Sequence, residues 1–557
     1  PGIVGMPMAG LLAGARLREG TTAPATVVVV QRDSTTSGWK VGAINAGRSV
    51  IGGVEPDLDD IVREAVGTGL LRASHDYAEA TDADVVLVCV QTDKAGLEPD
   101  YGPLLEALEG VARALTRKPA ENIPLVVLES TLAPSTMATV VRALFARHGL
   151  LVDRDVLLAN SPNRVMPGRL VERVRGSDKL IGALSPAAAE LVQRLYGHVV
   201  TRGRLFRTNS MTAEVVKTLE NAYRDVRIAY AAEVQRYCDA RGIDFFALRD
   251  AVNARIGQED GASRGTTTVP TGALLVPTVG VGGHCLPKDG ILLLWRWIAA
   301  GRATDRSLFL AARAINDEAP GALLAHAERH LGPLDGRRVT LLGAAYRFDS
   351  EDTRNAPALA LARLLLDKGC RLRIHDPHVN PRDQNLVRRG LTEVFSSDLD
   401  DALRHAEVAI VCTGHGMYAK HLASILRAAP ALRALVDGAN LFSRSAFAGL
   451  GLAYCGIGRG TGHPPAALVN FVVSGFRAVE RGIANELLAV IDHLNANYAG
   501  DEFNVVRIDE VRRLAATCST GCAIVAPGPV DGPATFDGFA PRLVALALAG
   551  FPLSRPT

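Results

Sequence analysis

The chain has 557 residues, more than one hydrophobic core organises, so three or four folding units are expected. Hydrophobic residues make up 48% and charged residues 22%, an ordinary soluble globular balance. Lys plus Arg total 61 against 59 Asp plus Glu, which argues against a dedicated nucleic-acid binder and leaves room for local phosphate pockets.

Apolar runs stay below the roughly 18 residues of a spanning helix, so no membrane association is expected. The start of the chain carries neither a basic segment nor an apolar stretch of the kind that signals secretion. Eight cysteines, at 89, 238, 285, 370, 412, 455, 518 and 522, are scattered and read as reduced thiols of a cytoplasmic protein.

Residues 1–205 alternate short β-branched runs, at 26–30, 85–90, 125–128 and 156–159, with helical stretches at 7–18 and 103–116. Alternation of this kind implies a parallel sheet wound with helices on both faces. From 211 to 241 no Pro or Gly intervenes, and Val215, Leu219, Ala222, Val226 and Ala229 recur at spacings of four and three. A long helix with one apolar seam follows, suited to join two domains or to form a dimer seam. Residues 337–458 repeat the alternation, with strands at 339–342, 371–375, 408–412 and 434–436 and a helix at 356–366. Beyond 460 come a helical segment at 468–497, with apolar positions suited to an oligomer interface, and Gly- and Pro-rich sequence from 518 to 541. No fixed-period repeat is legible. The expected fold class is α/β: two doubly wound, Rossmann-like parallel-sheet domains at 1–205 and 326–460, a central helical region at 206–325, and an extension at 461–557.

Gly2-Ile3-Val4-Gly5 reads as the back half of a dinucleotide-binding turn, with Gly2 facing a pyrophosphate and Gly5 allowing close helix packing. A bland glycine turn is the alternative. The preceding glycine and strand are not in this sequence, which reads as a chain truncated at its start. After the run at 26–30, Asp33 is placed to take an adenosine ribose, although Gln31 lies nearer the usual position. Arg32 would tolerate a 2′-phosphate.

The stretch from Val279 to Asp289, VGVGGHCLPKD, carries the most chemistry. Glycines clear space around Cys285, and Lys288 beside it would favour the thiolate. A buried Cys in a glycine turn is the plain alternative; no second ligand pair stands at metal-binding spacing, so no metal is expected. Lys217 and Asn221, four apart, emerge from one helix face, as a solvated stripe would. Asp352-Thr353-Arg354 alone would be a helix cap with a surface Arg. Cys518 and Cys522 invite a metal or redox role, but two cysteines in a turn are more often structural.

GGHCLPKD resembles the catalytic signature of the UDP-glucose, UDP-N-acetylmannosamine and GDP-mannose dehydrogenase family. The same order of motifs includes Glu129-Ser130-Thr131, the 211–225 helix and Asp352-Thr353-Arg354-Asn355-Ala356-Pro357. The resemblance covers about residues 1–460. It implies NAD as cofactor, with NADP left open, held by Gly2, Ile3, Val4, Gly5, Asp33, Thr92, Thr131 and Lys288. It implies a UDP-sugar substrate, a homodimer or higher homo-oligomer, and a place in polysaccharide biosynthesis. Cys285 would form a thiohemiacetal and then a thioester in a four-electron oxidation at C6. Lys217 and Asn221 would hold the oxyanion, and Thr131 and Asp289 would position water. Asn163, Arg164, Val165, Arg224, Gly282, Tyr346, Arg347 and Arg354 would contact substrate, and Arg255 would reach it across a dimer interface. Asn163 stands where the family motif normally has Glu. It cannot act as a base, so hydrolysis is expected to be slow or to use another carboxylate. His284 and the 220–225 segment lean towards a UDP-N-acetylhexosamine, with UDP-glucose the alternative, and a binder that has lost turnover a further one.

Overall fold

The computed structural model describes residues 1–551 apart from 18–21, 36, 53–54, 120–121, 166–167, 265–273 and 519–520, and the backbone alone of 261–264. Arg18 of the expected first helix and Ser519 and Thr520 of the Gly- and Pro-rich stretch therefore lie outside the described residues.

The first half carries β1 (Val27–Val30), β2 (Leu71–Ser74), β3 (Val85–Val88), a short hairpin of β4 (Asp93–Ala95) and β5 (Glu98–Asp100), β6 (Leu125–Leu128), β7 (Leu157–Asn160), β8 (Lys179–Ala183) and β9 (Leu205–Asn209). β1 and β2 pair in parallel as a two-stranded sheet, and β3-β6-β7-β8-β9 form a five-stranded one. β6, β7 and β8 are buried throughout, and β6 accordingly reads as an unbroken apolar run. The sequence reading missed β2, β8 and β9. It also expected parallel pairing throughout, whereas β8 runs antiparallel to β7. The first helix is Gly5–Leu12, shorter than the 7–18 expected.

The central helix runs Ser210–Arg241. Asn209 starts it by accepting from the Thr212 amide at 2.7 Å, and Gly242 ends it at a positive φ of 66°. The predicted seam is buried, but so is most of the rest of the helix, which lies inside a helical layer rather than on its surface. Four helices complete that layer before the second sheet: Phe245–Arg264, Leu286–Ala299, Leu308–Asp317 and Ala319–Leu331.

The second sheet contains β10 (Arg338–Leu342), β11 (Arg371–His375), β12 (Phe395–Ser396), β13 (Val408–Val411), β14 (Ala434–Asp437) and β15 (Ala453–Gly456), all parallel, in the order β12-β11-β10-β13-β14-β15. The order reverses between β10 and β13, so the ligand crevice of this sheet opens beyond their carboxyl ends, at residues 343–347 and 413–416. Three helices of the extension, Ala466–Tyr498, Ile508–Ala515 and Arg542–Ala549, share one continuous core with the central layer. No helix among the described residues is long and apolar enough to cross a membrane.

Candidate active site

Cys285 ends the glycine loop and begins the helix Leu286–Ala299; its carbonyl accepts from the amides of Lys288 and Asp289 at 3.2 and 3.0 Å. Its side chain is open to solvent on one side and walled by protein on the others. That partial desolvation pushes its pKa above the usual thiol value and Asp289 pushes the same way, while Lys217, Lys288 and Arg354 oppose them. The other described cysteines are buried or half-buried, and all are free thiols.

Below the sulfur, the fully buried Asp289 carboxylate is held at both oxygens. Lys288 Nζ donates to Oδ1 and Asn221 Nδ2 to Oδ2, each at 2.6 Å. Lys288 is thereby turned inward onto Asp289. Lys217, buried one turn before Asn221 on the central helix, faces the same sulfur electrostatically.

The glycine loop is clamped between the two sheets. On the first side, His284 Nε2 donates to the Thr92 carbonyl at 2.6 Å, and Thr92 Oγ1 donates to the Thr131 carbonyl at 2.7 Å. Burial and the Lys288 charge lower the His284 pKa, so its ring is a neutral strut. Thr92 and Thr131 follow β3 and β6, at the carboxyl ends where cofactors of this architecture bind. On the second side, the Gly283 amide donates to the Arg354 carbonyl at 2.8 Å, and Asn355 Nδ2 donates to the Gly283 carbonyl at 3.0 Å. A Cβ on Gly282 would lie 2.4 Å from Tyr346 Cβ, so glycine is required there by contact. Tyr346 and Arg354 also border Cys285, and Asp352 takes the Arg354 guanidinium in a bidentate pair. Arg347 stacks its guanidinium 5.6 Å from the Phe348 ring.

The cofactor turn is compatible with a pyrophosphate. A Cβ on Gly5 would stand 3.2 Å from Cys89 Cβ, so the helix packs directly on the sheet, while Gly2 has open space around it, with Ile3 and Val4 between them. Asp33 is exposed just beyond β1. Arg32 is drawn to Glu106 at 2.6 Å.

Other expected substrate residues lie further out. Arg164 is buried against Glu220 of the central helix and donates to Thr517 Oγ1 at 2.8 Å and the Leu514 carbonyl at 3.0 Å. Val165 packs into the first-sheet cores. Arg224 is exposed beside Arg227 and Cys518. Arg255 turns to Glu259 and to Asn470 of the extension, outside the cluster around Cys285. Asn163 is locked in place: Nδ2 donates to Glu129, and Oδ1 accepts from Lys179 at 3.2 Å. Glu129 is buried and also bonds Tyr196 and Lys179, a network the sequence reading missed, although Glu129 stood in the quoted motif. Two further groups bring metal-type donor atoms within 4.8 Å of one another, His326–His330–Cys455 and Asp349–His378–His415. Neither includes a residue of the glycine loop, and both His415 nitrogens are engaged, by the Asp349 amide and the Asp376 carboxylate.

A thiol clamped at the junction of two nucleotide-type sheets, over a Lys–Asn–Asp cluster, matches the motif order seen in the sequence. Models of the UDP-glucose/GDP-mannose dehydrogenase family match in three consecutive parts: the NAD-binding domain at 2–200, the central domain at 211–318 and the UDP-binding domain at 340–444. The chain belongs to this family of dehydrogenases. It is 31% identical over 422 residues to UDP-N-acetyl-D-mannosamine dehydrogenase of Pyrococcus horikoshii, covering 75% of this chain and 90% of that one. It is 29% identical to NDP-N-acetyl-D-galactosaminuronic acid dehydrogenase of Ralstonia nicotianae, with the same coverage of each. The crystal structure of the enzyme so named from Methanosarcina mazei superposes with a TM-score of 0.67 at 32% identity, covering 83% of this chain and 94% of that one. The family membership makes this an NAD-dependent nucleotide-sugar dehydrogenase, and the open turn at Gly2 accords with it.

Proposed function

We propose that this dehydrogenase oxidises the C6 hydroxyl of a UDP-N-acetylhexosamine to the carboxylate, with Cys285 as the covalent nucleophile. The observation that carries the reading is the open thiol of Cys285 between Thr92 of the first sheet and Arg354 of the second, facing Lys217. Bound NAD supplies the hydride acceptor, one equivalent for each of the two oxidations.

Lys217 and Asn221 sit one turn apart beneath the sulfur, where a cation and an amide can hold the sugar oxygen as it gains negative charge. Once the alcohol has become an aldehyde, Cys285 Sγ bonds to its carbon and the thiol proton passes to the new hydroxyl. The second oxidation leaves a thioester, and water splits it to the acid and the free thiol. Holding the aldehyde covalently keeps it from escaping between the two oxidations. Asp289 is the carboxylate closest in charge to the sulfur, and Thr131 borders the same cleft; these are the groups that would position the water. Asn163 has both amide atoms committed to Glu129 and Lys179, so it acts as scaffold. Tyr346, Arg347 and Arg354, beyond β10, would hold the nucleotide diphosphate and sugar.

UDP-N-acetylmannosamine and the other names carried by relatives favour an N-acetylated sugar over UDP-glucose. Incubation with a panel of UDP-sugars and NAD tests the reading: the true substrate releases two NADH per acid formed. Cys285→Ser abolishes acid formation while leaving UDP-sugar binding intact. Full acid production by Cys285→Ser would end the covalent mechanism, and binding without any NADH would favour a protein that has lost turnover.

A further inference from the structure

The extension is not an appendage of unrelated design. Laid on the central helix with Arg477 on Arg224, the helix Ala466–Tyr498 places Val479 on Val226, Ala484 on Ala231, Glu486 on Glu233 and Asp492 on Asp239. The same register sets Val472, Gly475, Phe476 and Leu487 on Leu219, Ala222, Tyr223 and Val234, so the apolar seam is reproduced. The chemistry is not. Asn470 and Ser474 stand at the positions of Lys217 and Asn221.

The packing has the matching symmetry. The two long helices cross antiparallel: Tyr223 donates to Glu480 Oε1 at 3.1 Å, and Tyr230, two turns further on, donates to the Val472 carbonyl at 2.8 Å. Two residues on from Tyr223 and two back from Glu480 lie Asp225 and Ala478, which are equivalent positions, as a two-fold axis between copies requires. The glutamates of the pair then make reciprocal contacts. Glu486 of the extension accepts from Ser307 Oγ at 2.5 Å and the Leu308 amide at 2.8 Å, capping the helix Leu308–Asp317. Glu233 of the central helix accepts from the Arg542 and Leu543 amides at 2.5 and 3.2 Å, capping the helix Arg542–Ala549. The shorter helices exchange likewise. Phe245–Arg264 lies on the extension helix, where Asp260 pairs with Arg477 at 2.7 Å, and Ile508–Ala515 lies on the central helix, where its carbonyl at Leu514 receives Arg164.

We infer that residues 466–551 are a second, reduced copy of the central helical layer, seated on the first about an approximate two-fold axis. They share one core with the central helix, whose apolar seam the sequence offered as a dimer seam, so the working unit is one chain with one active site. It differs from the homo-oligomer that the family resemblance implies. It also means that the flank of the cleft at Arg164 and Arg224 is built in cis, by Leu514, Thr517 and Cys518 of the chain's own extension.

Sedimentation equilibrium of the full chain across the assay concentration range tests the inference. The expected particle has the mass of one 557-residue chain, with activity per chain independent of concentration. A two-chain particle overturns it. Glu233→Gln and Glu486→Gln separate reciprocal caps from incidental contacts: each is expected to lower Tm by a few degrees without changing the mass. An effect at Glu486 with none at Glu233 would also overturn the reciprocal arrangement.

Discussion

Cys285 carries its proton more tightly than a free thiol does, because protein surrounds it and Asp289 stands below it. Removing the Asp289 charge removes a like charge from the thiolate, so Asp289→Asn is expected to lower the thiol pKa. Alkylation of Cys285 by iodoacetamide at neutral pH should then be several-fold faster than in the parent. The same variant loses the carboxylate proposed to position water, so acid formation should fall about 10²-fold and the covalently modified chain should accumulate, visible by intact mass. Slower alkylation, or normal turnover without accumulation, would remove Asp289 from both roles. Asn163→Glu makes the opposite kind of change. It sets a second carboxylate against Glu129, so it should destabilise the fold rather than speed hydrolysis, by about 1–3 kcal/mol in urea denaturation.

At the scale of elements, the glycine loop is a strut between sheets, and its fit is steric. Gly282→Ala must push Tyr346 or the Asn355 backbone aside. The cost in stability should be about 1–3 kcal/mol, with kcat falling far more than NAD affinity, since Gly282 lies outside the NAD-binding domain at 2–200. Equal losses in NAD binding and kcat would mean that the loop shapes the cofactor site instead. The clustering of Cys285, Lys217, Asn221 and Asp289 was legible because each belongs to a short motif whose local spacing is fixed by one loop or one helix turn. Strands β6 and β13 were legible because full burial leaves uninterrupted apolar runs, and β11 because Leu372 and Ile374 alternate with polar residues. The strand Lys179–Ala183 was not: Lys179 interrupts its apolar pattern, and only the fold reveals that its ammonium is buried against Glu129. The contacts of Arg164 and Arg255 were hidden for a related reason. Their partners, Thr517 and Asn470, lie in the extension, over 200 residues away in sequence. The repeat escaped notice because two copies separated by a whole sheet domain, with the second trimmed, show no period.

At the scale of the whole molecule, buried ionisable side chains sit at the junctions between its parts. Glu214 accepts from the amides of Ser135 and Met137 and its pKa is raised by burial to about 8; Glu486 is raised to about 7 for the same reason. Both bind a proton more tightly folded than unfolded, so their contribution is fully present below the ordinary carboxylate range and is lost as pH rises through those folded values. Tm should therefore fall between about pH 5 and pH 8, and Glu486→Gln should flatten that slope. An unchanged slope would show that Glu486 does not titrate in this range. Arg164 joins three parts at once: it stands in the first domain, pairs with Glu220 of the central helix, and bonds Thr517 and Leu514 of the extension. Both charged side chains of the pair are almost wholly buried, so removing one strands the other. Arg164→Ala should cost about 3–5 kcal/mol in urea denaturation, whereas Arg164→Met with Glu220→Met should recover much of that loss by replacing the pair with apolar volume. If the double variant is no more stable than the single one, the pair's value lies in Arg164's bonds to the extension rather than in its charge balance with Glu220, and the junction is held by geometry.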